Sequence, residues 1–139
     1  MPIEWTTELS VGIAEIDDDH RELLWHVNVF LEAMQGARGA AALAPLFDFL
    51  NDFMRHHFET EERLMREGRY PDLSAHQAEH RQFLQALKGH FAQYQRTGPS
   101  ATLTSGLGEI LGKNLRDHML QTDKALCAFV LAGNRPVRG

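Results

Sequence analysis

Apolar residues recur along this chain every three or four positions in four separate stretches, the pattern of amphipathic helices that each bury one stripe. The first stripe carries Ile16, His20, Leu23, Leu24, Val27, Leu31 and Met34. Asp17-Asp18-Asp19 supplies its N-cap and acidic first turn, and Gly36-Ala37-Arg38-Gly39 ends it. The second carries Leu43, Leu46, Phe47, Leu50, Phe53, Met54, His57, Glu61, Leu64 and Met65, and stops at Gly68-Arg69-Tyr70-Pro71. The third is capped by Asp72 or by a Ser74–Gln77 capping box. It presents His76, His80, Phe83, Leu84, Leu87, Phe91 and Tyr94 before breaking at Thr97-Gly98-Pro99. The fourth runs from about Ala101 to Leu131 with Leu103, Leu107, Ile110, Leu111, Leu115, His118, Leu126, Phe129 and Val130. Gly106, Gly108 and Gly112 weaken its first half by about 1 kcal/mol each relative to Ala, enough for a kink or loop.

No strand-like alternation and no Gly-rich phosphate loop interrupts this pattern. Short links between four such helices predict antiparallel neighbours, hence an all-α, up-down-up-down four-helix bundle over about residues 17–132. Residues 1–16, with Trp5 and Val11-Gly12-Ile13, read as an extended arm over part of the bundle. The 139 residues together form one domain.

Composition narrows the function classes. A net charge of -5 without clustered Lys or Arg argues against nucleic acid as a partner. The single cysteine, Cys127, cannot form an intramolecular disulfide and suits a reducing compartment. Met1-Pro2-Ile3-Glu4-Trp5 lacks a basic region followed by an apolar one, and no apolar run nears the ~20 residues of a membrane span. A soluble cytoplasmic domain is expected.

The chemistry lies where polar groups interrupt the buried stripes. His57 with Glu61 and His76 with His80 are i, i+4 pairs that share a helix face, and His20 and His118 also fall on inner faces. Leaving one polar group buried without a partner costs on the order of 1–3 kcal/mol. Five imidazoles and two carboxylates left so would rival the ~5–15 kcal/mol stability of a whole domain. Metal ions satisfy them. Asp123 is the exception, five residues after His118 and so roughly 140° further round an ideal helix. It joins the set by reaching across as a bridge, or through a local distortion such as a π-type bulge.

A structural zinc site takes four ligands, usually with thiolates; seven imidazole and carboxylate ligands suit two ions. If Glu61 and Asp123 each span both ions along with one solvent oxygen, three histidines bring one ion to six ligands. The other two histidines leave the second ion at five, with one position open to a small diatomic molecule. The chain contains neither the Glu-x-x-His motif of ferritin-like bundles nor a His-Glu-x-x-His peptidase motif. Imidazole and carboxylate without thiolate suit iron, and also accept zinc, cobalt or manganese. His26, His56 and His90 point away from the ligand faces and read as surface or rim residues. Cys127 reads as a small packed hydrophobe. Glu59, Glu62 and Glu67 read as a solvated face, with Glu59–Arg63 and Glu62–Arg66 as ordinary i, i+4 pairs.

Ile16-Asp17-Asp18-Asp19-His20, the run His57 to Met65, Tyr70-Pro71, His76 to His80, Leu115-Arg116-Asp117-His118 and Asp123-Lys124 together resemble the hemerythrins, most closely the single-domain bacterial ones. The resemblance covers about residues 5–130 and implies a non-haem di-iron centre. It implies that His76, His80 and His118 hold the saturated iron, that His20 and His57 hold the iron with the vacancy, and that Glu61 and Asp123 bridge the two. It implies reversible O2 binding for storage, delivery or scavenging rather than enzymatic turnover. Alternatives are an O2 or redox sensor acting through a partner, and a di-iron enzyme reducing peroxide or nitric oxide. The chain ends at Arg135-Pro136-Val137-Arg138-Gly139 without an output domain, so storage or supply is the expected role, with a separate redox or oxygen-consuming protein as the conceivable partner. Leu24, Trp25, Asn114 and Leu115 are expected around the ligand pocket. Many hemerythrins have Trp where this chain has Asn114, which is expected to make the pocket more polar, with Trp25 supplying replacement bulk.

Overall fold

The computed structural model describes residues 3–35 and 38–133, all helical or connecting, with no strand among them. Four helices follow one another: α1 (Ala14–Gln35), α2 (Gly39–Gly68), α3 (Leu73–Thr97) and α4, a rod over 101–133. The four-residue link 69–72 and the three-residue link 98–100 leave each helix no course but to turn back beside its predecessor. The four-helix bundle is therefore as the apolar pattern predicts. Gly36-Ala37, Met1-Pro2 and the stretch 134–139 lie outside the described residues.

The core is one continuous apolar cluster, with Leu23, Val27, Leu43, Phe47, Leu50, Met54, Leu103, Leu107 and Leu111 all fully buried. These belong to the first, second and fourth predicted stripes, Leu87 of the third joins them in the same cluster, and together they bring the inner faces of the helices to the bundle axis. The arm packs along the outside and buries Ile3, Leu9 and Val11. Asn28 pairs with the Ile3 backbone at 2.7 Å in both directions, and Arg21 lies 4.8 Å over the Trp5 ring.

Three local expectations change. α1 begins at Ala14, ahead of the acidic run, so Asp17 does not cap it. Asp17 instead accepts hydrogen bonds from the Ser10 hydroxyl (2.6 Å) and the Val11 amide (2.8 Å), and so ties the arm to the helix. Asp72 is the N-cap position of α3, but the Ser74–Gln77 capping box does not form: Gln77 donates to Glu62 at 3.1 Å. The glycines of α4 produce no loop. A Cβ on Gly106 would lie 2.8 Å from His90, and one on Gly108 3.1 Å from Met34, so these glycines let side chains of α3 and α1 press against the α4 backbone.

α4 is nevertheless not a plain α-helix. Its α segments Ala101–Glu109, Leu115–Asp117 and Lys124–Gly133 are joined by π-helical turns at Ile110–Asn114 and His118–Asp123. In the first, the Leu115 amide donates to Ile110 O, five residues back. The second spans the interval that separates His118 from Asp123.

Candidate metal centre

The seven predicted residues converge inside the bundle, early in α1 and α3 and late in α2. α1 contributes His20, α2 contributes His57 and Glu61, α3 contributes His76 and His80, and α4 contributes His118 and Asp123. Six of them are at most 2% exposed; His118 is partly exposed. The π turn answers the register problem of Asp123: i→i+5 bonding sets residues five apart one above the other, where an α-helix would splay them.

Two overlapping clusters result. Glu61, His76, His80, His118 and Asp123 form one, and His20, His57, Glu61 and Asp123 form the other. Each carboxylate divides its two oxygens between them. Glu61 Oε1 lies 2.8 Å from His80 Nε2, 3.3 Å from His76 Nε2 and 3.9 Å from His118 Nε2. Glu61 Oε2 lies 3.4 Å from His57 Nε2 and 4.0 Å from His20 Nε2. Asp123 Oδ1 faces His118 and His76 at 3.0 and 3.2 Å, while Oδ2 faces His20 at 3.1 Å.

The donor atoms fit a cation. Seven buried side-chain atoms have no hydrogen-bond partner among the described residues, and all belong to this cluster: His20 Nδ1 and Nε2, Glu61 Oε2, His76 Nδ1, His118 Nε2, and both oxygens of Asp123. Five of these seven are Nε2 or carboxylate oxygens directed at the shared space. Buried polar atoms are ordinarily satisfied, so a concentration of orphans at one point marks the place of a positive ion.

Three outer carboxylates steady the imidazoles. The Nδ1–H of His57 donates to Asp19, that of His80 to Glu62 and that of His118 to Glu79, each at 2.9 Å. Thr122 also donates to Glu79 at 2.9 Å. Such partners turn the Nε2 lone pair inward and make it more basic. Sequence reasoning placed Glu62 on a solvated face and did not single out Asp19 or Glu79. Arg63 pairs with Glu15 and Glu67, at 3.7 and 3.6 Å, rather than with Glu59.

Burial alone would lower the histidine pKa values, but neighbouring carboxylates outweigh it. The hydrogen bond to Asp19 and the nearby carboxylate of Glu61 hold His57 at about 10. Close contact with the carboxylates of Asp123 and Glu61 holds His76 at about 9, and the charge of Asp123 beside it holds His118 at about 11. Burial and the Glu61 charge push Asp123 upward, yet His118 and His20 bring it to about 2. Burial likewise opposes ionisation of Glu61, whose four histidine partners still hold it well below the usual carboxylate range.

Without metal, then, the cluster is held by protons at neutral pH. Loading a divalent ion at pH 7 is expected to expel protons from His57, His76 and His118, since imidazole must be neutral to bind metal. Calorimetry in buffers of different ionisation enthalpy measures the number; release of fewer than one proton per chain contradicts this electrostatic picture. The metal-free fold should also show a stability window. The histidine contribution is complete below 6.5 and lost as pH rises through 9 to 11. The Asp123 contribution is complete above 3.8 and lost as pH falls through about 2. The thermal midpoint without metal should therefore peak between those limits.

The pocket residues divide. Asn114 and Leu115 line a cavity of about 240 Å³ beside His118, together with Phe58, Glu79, Phe83 and Ile110. Leu24 is buried in the main core, in the same apolar cluster as Leu115, and does not line that cavity. Trp25 does not belong to the pocket at all: it is 65% exposed, because five residues on a regular α-helix carry it roughly 140° from His20. It cannot supply bulk there. Of the set-aside histidines, His56 is exposed, while His26 and His90 are half-buried, His26 stacked on Phe49 at 3.6 Å. Cys127 is fully buried against Val11 and Ile16, and that burial pushes its thiol pKa up.

An all-α bundle whose four helices each send histidine or carboxylate ligands to one buried, cation-binding cluster defines a bundle-core metalloprotein. The sequence model described as "Hemerythrin HHE cation binding domain" matches residues 11–130, and the chain belongs to the hemerythrin family. A bacteriohemerythrin of Stenotrophomonas maltophilia (strain R551-3) is 31% identical over 131 residues, covering 92% of this chain and 81% of that relative. A bacteriohemerythrin of Pseudomonas aeruginosa (strain UCBPP-PA14) is 31% identical over 91 residues, 66% of this chain and 59% of the relative. A myohemerythrin of Theromyzon tessulatum is 25% identical over 88 residues, 63% of this chain and 68% of the relative. No solved structure matches the chain. No helix among the described residues is long and apolar enough to cross a membrane.

Proposed function

We propose that these seven residues hold two iron ions and that the protein binds O2 reversibly there, for storage, delivery or scavenging. The observation that carries the reading is the division of oxygens at Glu61 and Asp123, each facing a three-histidine set with one oxygen and a two-histidine set with the other. Membership of the hemerythrin family supports it. In this reading His76, His80 and His118 hold one ion, His20 and His57 hold the other, and Glu61 and Asp123 span both. Iron held by these residues would supply the two electrons that reversible O2 binding needs.

The surrounding residues make that exchange clean. Asp19, Glu62 and Glu79 fix the rings of His57, His80 and His118 by their Nδ1–H bonds. Phe58 lies flat on His80, at 3.8 Å and 10° between planes, and edge-on to His118, so the three-histidine side is shielded from water. The cavity beside His118 is the gap in this shield, and Asn114 is its polar wall. Replacing Asn114 with Trp fills that gap with apolar bulk, and autoxidation of the O2 form is expected to slow by roughly tenfold, about 1.4 kcal/mol on the barrier. An unchanged autoxidation rate removes this role for Asn114.

The reading itself is tested by optical titration of iron-loaded, anaerobically reduced protein with O2, followed by argon sparging. A charge-transfer band that appears with O2 and vanishes on sparging over several cycles is the expected result. Irreversible oxidation on first exposure would favour sensing or catalysis, and failure to take up iron would overturn the assignment.

A further inference from the structure

A series of aromatic rings in contact connects the cluster to the protein surface. His57 faces Phe53 at 5.9 Å, and Phe53 stacks on Phe49 at 4.8 Å. Phe49 lies on His26 at 3.6 Å, 15° from parallel, and His26 meets Trp25 edge-on at 4.9 Å. Phe49, Phe53 and His57 are spaced i, i+4, i+8 on α2, so their rings line up along one side of the helix. Trp25 and His26 close the series from α1.

An aromatic stripe at helical spacing is ordinarily core packing. This one runs from the core's edge to the surface, since Phe49 and Phe53 pack against the main cluster while Trp25 stands in solvent. Phe49, Phe53 and His26 are only half-buried, and among the described residues Trp25 is the most exposed of the large hydrophobic side chains. The ring at the inner end, by contrast, belongs to the metal cluster and is 1% exposed.

We propose that the series Trp25–His26–Phe49–Phe53–His57 is the electron route between the metal centre and a one-electron donor protein that docks at Trp25. The inference rests on the iron reading above. Electron tunnelling weakens steeply at every through-space gap, and neighbouring π-systems in near contact keep each gap short. Indole is the most easily polarised side chain for a donor to touch. The exposed charges on the docking face are mostly acidic: Glu22 stands three residues before Trp25, Asp48 and Asp52 flank Phe49, and Arg21, four residues before Trp25, is paired with Asp18 at 3.1 Å. With the chain at -5 overall, the complementary donor presents a basic face. In each encounter the donor is oxidised by one electron and the centre reduced by one. Two encounters restore a doubly oxidised centre, and no atom or proton travels along the stack.

The test is flash reduction of the oxidised, iron-loaded protein by photogenerated tris(bipyridine)ruthenium(I), a cationic one-electron donor, with the rate read optically. Trp25→Ala and Phe53→Leu are expected to slow reduction by roughly tenfold, with iron content and reduction potential as in the wild type. Phe91→Leu, whose ring meets Phe47 at 5.2 Å and no ligand histidine, should reduce at the wild-type rate. Unchanged rates in Trp25→Ala and Phe53→Leu with iron bound overturn the route alone, as does equal slowing in Phe91→Leu. Absence of iron uptake in the wild type overturns both the iron reading and the route, which then has no terminus. Trp25 is exposed enough that its substitution leaves the fold intact, so the result stands even if Phe53→Leu fails to fold.

Discussion

Glu61→Gln is expected to lower bound iron from the proposed two ions per chain to fewer than one and to destabilise the metal-free fold. Glu61 is fully buried and one oxygen faces each histidine set, so the amide removes a charged ligand from both proposed ions at once. Its NH2 group also turns donors toward imidazoles that themselves need an acceptor. In the metal-free protein the same change takes away the anion that helps keep His57, His76 and His118 protonated. Breaking a buried ion pair by removing one partner typically costs about 3–5 kcal/mol. Iron assay on reconstituted protein and denaturant titration of the metal-free form measure the two effects. Two tightly bound ions in the variant would show that Glu61 is not a shared ligand.

The second large effect concerns the π turn. Inserting one alanine after Gln121 places Asp123 six positions from His118. Each residue adds about 100° of rotation in a helix, and the π turn already absorbs one surplus residue. A second surplus swings the carboxylate away and rotates the buried Leu126 and Cys127 off the core, so iron binding should be lost and the thermal midpoint should fall. Deleting exposed Gln121 does the reverse. His118 and the carboxylate become an i, i+4 pair, which a plain α-helix holds on one face, and iron binding should survive. Iron assay and circular dichroism on the pair of variants decide the matter. Equal loss in both would mean that the turn does more than correct register.

That turn also shows how far one chain of letters could be read. The four helices and six of the seven convergent residues follow from period, and the antiparallel order from the short links, because burial along a helix repeats about every 3.6 residues and a ligand must face the same way as the core. Asp123 breaks that period, and the π turn that restores it is visible only in the hydrogen bonding of α4. Trp25 was misplaced for a related reason: a pocket vacancy at Asn114 invited a bulky neighbour, but the regular α1 leaves the indole in solvent.

What the amino-acid sequence determined by itself was therefore the set of groups forced into the interior, since their spacing ties each one to an apolar stripe. Tertiary structure alone decided which groups meet across helices. Asp19 reaches His57 from α1, Glu62 reaches His80 from α2, and Glu79 crosses from α3 to His118 and Thr122 on α4. All three lie away from the buried stripes, where periodicity says only that a carboxylate faces outward. Whether it meets water or an imidazole depends on the crossing and axial register of two helices, and packing of the whole core sets both.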